Sequence, residues 1–154
     1  MFLFKGLLAL TMLSGGGGAE PADSAINGAH LRVARPTDNL EAVVRFYKEG
    51  LGFSELGAFQ DHEGFDGVML GFRGLGYHLE FTHHRGHKVG RAPTKDNLLV
   101  FYLKDEQQWA AAVKRLVDHG YPPTKSWNPY WDKRGKTFED PDGYRVVLQL
   151  QVPD

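Results

Sequence analysis

His78 and Glu80 stand two residues apart in Tyr77-His78-Leu79-Glu80-Phe81-Thr82. A β-strand repeats every two residues, so an imidazole and a carboxylate at this spacing point the same way. Such a pair can hold a proton, pass it on, or anchor a polar ligand. Tyr77, Leu79 and Phe81 occupy the other face, which marks the strand as half-buried. The pair carries chemistry if its face lines a cavity and is ordinary surface if it meets water. His30 and Arg32 alternate in the same way along His30-Leu31-Arg32-Val33-Ala34. His83, His84 and His87 fall in a Gly, Arg and Lys segment that reads as a solvated loop. Asp61, His62 and Asp66 surround Gly64, where a turn accounts for Asp61 and Gly64.

These side chains need a frame. His30 to Ala34 reads as a strand ended by Pro36, since proline cannot join a ladder. Thr37 or Asp38 can cap a helix carrying Leu40, Val43, Val44, Phe46, Tyr47 and Leu51, which Gly50 and Gly52 stop. Strands follow at Phe53 to Phe59, Phe65 to Phe72 and Tyr77 to Thr82. After a polar linker the pattern restarts. Asn97 to Leu103 is an apolar strand, and Asp105 caps a helix with Trp109, Val113, Leu116 and Val117. Tyr121 to Thr124 is a short extended piece, and Ser126 to Asp132 is an aromatic loop. Lys136 to Glu139 and Tyr144 to Gln151 are strands joined by the turn Asp140-Pro141-Asp142-Gly143. Leu31 and Leu98, Val33 and Val100, and Tyr77 and Tyr144 are each 67 residues apart, so the halves are built alike. The expected class is α+β: two βαβββ modules forming a curved, eight-stranded mixed sheet around a central cavity.

With 154 residues, the chain is long enough for one domain with a real core. The absence of cysteine excludes disulfides, thiolate metal sites and a cysteine nucleophile. A formal net charge of -1, without a basic block, speaks against nucleic acid. Residues 1–27 form a leader: an apolar run with one lysine, then four glycines. It is too short to span a bilayer and only loosely resembles an export signal. The expected location is cytoplasmic, with export the alternative should residues 1–19 act as a signal. The domain proper is residues 28–152, with modules at about 28–84 and 95–152.

Leu31-Arg32-Val33, Arg45-Phe46-Tyr47, Gly50-Leu51-Gly52-Phe53, Leu79-Glu80-Phe81-Thr82 and Phe138-Glu139-Asp140-Pro141-Asp142-Gly143-Tyr144 follow one another at characteristic spacing. In this order they resemble the vicinal-oxygen-chelate superfamily, which includes glyoxalase I, bleomycin-resistance proteins and extradiol dioxygenases. The resemblance covers roughly residues 29–151. Asp61 to Gly71, Asp96 to Tyr102 and Asn128 to Trp131 look like an uncharacterised glyoxalase-like subgroup. Metal enzymes of the superfamily take one ligand from the first and last strand of each half, and the ion holds two neighbouring substrate oxygens. On these motifs the four positions fall at Gly28 (or Asn27), Glu80, Asn97 and Val147. Glu80 alone is of the usual type, and valine cannot coordinate. The resemblance thus implies the fold but not the usual metal centre: no metal ligand and no cofactor is expected. A divalent ion displaced onto His30, His78 and Glu80 is the alternative, against which stands a pair of hydrogen-bonded histidines.

Parity and the resemblance together predict an aromatic-lined hollow. Arg32, His78, Glu80 and Asn97 would be its polar points, with His30 and Phe101 on the same faces. In glyoxalase I the position that Arg32 resembles holds a substrate carboxylate; an ion pair with Glu80 suits Arg32 equally. Trp127, Tyr130 and Trp131 would form a lid or stacking wall, or else core packing or a dimer seam. The expected function is metal-free binding of a small aromatic or planar molecule, with a homodimer by resemblance and no nucleic acid or membrane partner. The alternative is a lyase, isomerase or dioxygenase with a displaced metal, or an acid–base catalyst using Glu80 and His78. A third reading, a structural or regulatory dimer, requires the hollow to be filled with side chains.

Overall fold

In a computed structural model, which describes residues 26–151, the chain alternates strands and helices as the two-module pattern requires. The first half runs β1 (Leu31–Pro36), α1 (Leu40–Arg45), β2 (Ser54–His62), β3 (Phe65–Gly71) and β4 (Tyr77–His84). The second runs β5 (Leu98–Leu103), α2 (Glu106–Asp118), β6 (Gly135–Glu139) and β7 (Arg145–Leu150). The leader expected before residue 28 falls, but for Ile26 and Asn27, outside the described residues.

α1 is capped one residue later than expected. Asn39 Oδ1 accepts the Ala42 N–H at 3.1 Å. Thr37 Oγ1 accepts from Asn39 N instead, and Asp38 accepts the linker N–H groups of Val89 and Gly90, each at 2.9 Å. Three adjacent capping residues compete here, and tertiary contacts choose among them. α2 is capped by Asp105, which accepts from Gln108 N at 2.8 Å.

The strands form two sheets, β1-β4-β3-β2 and β5-β7-β6, in which β1–β4 and β5–β7 are parallel and the other pairs antiparallel. The eighth strand shrinks to a single bridge between Thr124 and Thr137. Pro122 and Pro123 precede it and have no N–H to donate to a ladder. One side of each sheet meets the helices. Leu70, Leu79 and Phe81 from the first and Phe138, Val146 and Leu148 from the second close around Val43, Phe46, Tyr47 and Leu116.

The register revises the repeat. Leu31 pairs with Tyr77, whereas Leu98 pairs with Arg145, one residue beyond Tyr144. Leu99, Phe101 and Leu103 therefore join Val33 on the core side. Leu98, Val100 and Tyr102 lie with Arg145, Val147 and Gln149 on the other side. A slip of one residue moves every side chain of a strand to the opposite face.

The turn after β6 clasps the two halves. The buried Tyr47 hydroxyl donates to Asp140 Oδ2 at 3.0 Å, and the Arg35 guanidinium lies 4.2 Å over the Tyr144 ring. Asp140 Oδ1 also accepts the backbone N–H groups of Asp142 and Tyr144. Burial outweighs these hydrogen bonds and pushes the Asp140 carboxyl up to about 6.

Candidate functional site

The outer face of the first sheet carries the titratable residues. Arg32 lies opposite His78 and Ala34 opposite Glu80 across the parallel β1–β4 pair. On the other flank β3 sets Gly71 opposite His78 and Met69 opposite Glu80. Ala34 and Gly71 leave a low floor beside His78, while Met69 stands between Gly71 and Gly67 on the same face. The Phe59 ring fills the hollow over Gly67, where a Cβ would collide with it.

Four polar side chains interlock on this floor. Arg32 Nε donates to His78 Nε2 at 3.0 Å, and His78 Nδ1 lies 2.5 Å from His30 Nε2. The two imidazole rings are 4.7 Å apart and tilted by 38°. Arg32 Nη1 is 2.8 Å from Glu80 Oε2, with side chains 55% and 12% exposed respectively. The pair is close but poorly directed, for buried Oε2 has no hydrogen bond of acceptable angle. Burial, then the neighbouring His30 and Arg32, hold the His78 imidazole below its ordinary pKa, and Glu80 opposes them.

The other expected site residues lie elsewhere. Asn97 precedes β5 in the second sheet, and its carbonyl accepts the Arg145 N–H. It does not share a face with Val147, because of the one-residue register difference. Phe101 turns toward the core side, edge-on to Phe53 at 5.8 Å. It lines two apolar grooves of about 480 and 390 Å³, flanked by Phe72, Leu31 and Tyr102. Trp127 and Tyr130 are mostly exposed, and Trp131 is half-buried, edge-on to Tyr130 at 4.9 Å.

The aromatic loop covers the outer face of the second sheet. Ser126 Oγ is hydrogen-bonded to Thr137 Oγ1, Arg145 Nη1 donates to the Lys125 carbonyl at 3.2 Å, and the Trp131 carbonyl crowds Gly135. Arg145, Val147 and Gln149 are buried beneath it. So the hollow expected in the second half is filled, while the matching face of the first half stays open. Neither the burial of Arg145 nor the Tyr47–Asp140 clasp was read from the sequence; the Asp-Pro-Asp-Gly turn was the available signal for the clasp.

The four-ligand centre of the superfamily's metal enzymes needs His, Gln or Glu side chains converging on one point. Among the described residues, no group of three His, Asp or Glu side chains is arranged to hold a metal ion. Glu80 faces a guanidinium, the nearest nitrogens of His30 and His78 are taken up with each other, and Val147 is buried under the loop. A cation here would sit beside a fixed positive charge. The residues present do not fit the four-ligand centre.

Residues 31–82 match the YycE-like N-terminal domain, and residues 96–150 match the YycE-like C-terminal domain. The chain belongs to the YycE-like family. The uncharacterized protein YycE of Bacillus subtilis is 45% identical over 125 residues, covering 81% of this chain and 90% of that protein. A crystal structure of a Bacillus subtilis YycE protein of unknown function, described there in glyoxalase/fosfomycin-resistance terms, superposes with a TM-score of 0.76. It is 44% identical and covers 82% of this chain and 93% of its own. Leishmania major glyoxalase I shares the fold at 22% identity and a TM-score of 0.61, over 79% and 85% of the two chains. The fold is thus that of the glyoxalase-like, vicinal-oxygen-chelate proteins. No helix among the described residues is long and apolar enough to cross a membrane.

Proposed function

We propose that the chain binds a small, partly planar molecule on the outer face of the first sheet, without a resident divalent metal. Arg32, His78 and Glu80 are the polar anchors, with His30 behind them. The observation that carries this reading is Arg32 itself. Its guanidinium bridges His78 and Glu80, yet half of its side chain faces solvent. A half-exposed guanidinium is placed to receive a ligand head group. A second copy closes the face in this reading. Among the described residues β1 and β5 are sheet edges, and Leu31 and Tyr102 stand exposed along them. The exposed rings of Trp127 and Tyr130 then serve as stacking walls.

Metal analysis of untagged protein, with a thermal-shift scan against Ni, Zn, Mn, Fe and Co, tests the metal-free part. No bound metal and no shift is the expected result. A stoichiometric metal lost in Glu80→Ala would overturn it. Screening planar aromatics then tests binding, with the thermal shift expected to vanish in Arg32→Gln. The buried, undirected Glu80 Oε2 favours a second reading, acid–base catalysis by Glu80 and His78. Turnover of a bound ligand, abolished in both Glu80→Gln and His78→Phe, would establish it over simple binding.

A further inference from the structure

The two halves do not close completely on the core side of β5. A groove of about 480 Å³ opens between them, away from the outer face of the first sheet. Phe53 and Leu148, both buried, lie at its base. Half-buried Leu51, Phe101 and Ala112 continue it, and Phe72, 40% exposed, stands at its side. Sites for small molecules span about 300–1,000 Å³, so the space is large enough for a ligand. These six side chains offer no polar atom, and a polar body placed against them would lose its hydrogen bonds to water without replacement.

The rings decide the shape of the occupant. Phe53 is met edge-on by Phe72 at 67° and by Phe101 at 88°, with centroids 5.0 and 5.8 Å away. Neither pair leaves parallel faces between which a flat ring could stack. A slender, flexible chain can follow such a surface. The rim decides its head group. Lys104 and Gln108 stand exposed there. Among the described residues Lys104 pairs with no carboxylate. The two acidic residues after it are engaged elsewhere: Asp105 caps α2 by accepting from Gln108 N, and Glu106 lines a different groove with Trp109. An ammonium at the mouth of an apolar cleft complements an apolar chain that ends in one negative charge.

We propose that this groove binds an unbranched alkanoate of the fatty-acid class, with the chain along Phe53 and Leu148 and the carboxylate at Lys104. The site goes beyond the outer-face reading and uses none of its polar anchors. Its affinity comes from the chain: each methylene buried strengthens binding about fourfold until the groove is full. Lys104 contributes less, because an exposed ion pair is worth about two- to fivefold.

Calorimetry on the full chain with hexanoate, octanoate and decanoate at neutral pH, below their micelle concentrations, reads the slope with chain length. Affinity is expected to climb about fourfold per methylene. Decanoate is expected to shift the carbon-13 methyl signals of Leu51 and Leu148. Ala112→Phe, which fills the cleft with a ring, is expected to abolish binding. Lys104→Gln is expected to weaken octanoate about two- to fivefold relative to 1-octanol, a comparison that decides even if Ala112→Phe fails to fold. No binding of decanoate, or affinity independent of chain length, would overturn the inference and leave the outer-face reading standing. Binding that Arg32→Gln abolishes and Ala112→Phe preserves would overturn it too, by placing the alkanoate on the outer face. A wild-type dimer that Ala112→Phe splits, with no decanoate bound, would assign the groove to a second copy instead.

Discussion

Asp140→Asn is expected to make the protein more stable at neutral pH, although it removes a charged partner of a buried tyrosine. The Asp140 carboxyl titrates near 3.8 in an unfolded chain and at about 6 in the fold, chiefly because it is buried. The folded state therefore holds the proton more tightly. This group's stabilisation is complete below its unfolded value and is lost as pH rises through the folded value. A shift of about two units corresponds to about 3 kcal/mol lost between roughly pH 4 and pH 6. Asn keeps the contacts: its Oδ1 accepts from Asp142 N and Tyr144 N, now at 3.0 and 2.9 Å, and its amide can donate to the Tyr47 oxygen. It removes only the ionisation. Asp142, also raised by burial, acts in the same direction as Asp140. Asp38, Asp66 and Asp132 are held below their ordinary range by hydrogen bonds, so their contributions fade only at lower pH. Urea unfolding from pH 4.5 to 7.5 should show wild-type stability falling through the window and a much flatter profile in the variant. Parallel profiles for the two proteins would refute the reasoning, because a buried ionising Asp140 would then not be its source.

Gly50→Ala would set a Cβ 2.8 Å from Leu116 Cδ2 and 3.1 Å from the Tyr121 ring. Overpacking of Gly50 against Leu116 of α2 should destabilise by about 1–3 kcal/mol in the same urea assay. Asp105→Ala removes the α2 cap and should lower stability by about 1 kcal/mol, with the helical circular-dichroism signal reduced. Asp38→Ala frees the N–H groups of Val89 and Gly90; hydrogen exchange at those two amides should speed up while that of core strands stays as it was.

What the sequence determined was alternation and punctuation. The period of two sets His78 and Glu80 on one face and Leu79 and Phe81 on the other, because successive strand side chains must point oppositely. Asp105 as a cap, the Asp140 to Gly143 turn and the order of strands and helices are local matters of the same kind. They were legible, as was the family's fold. Tertiary structure decided what each face meets. Arg32 reaches both His78 and Glu80 because β1 lies parallel to β4 in one register, and no local rule fixes that alignment. The repeat of 67 residues misled at β5 for the same reason: a difference of one residue sends Phe101 to the core side and Tyr102 outward. The aromatic loop from Ser126 to Asp132 could have been lid, seam or packing. Its fate rested on long-range contacts to Thr137 and Arg145, which exist only once β6 and β7 have paired.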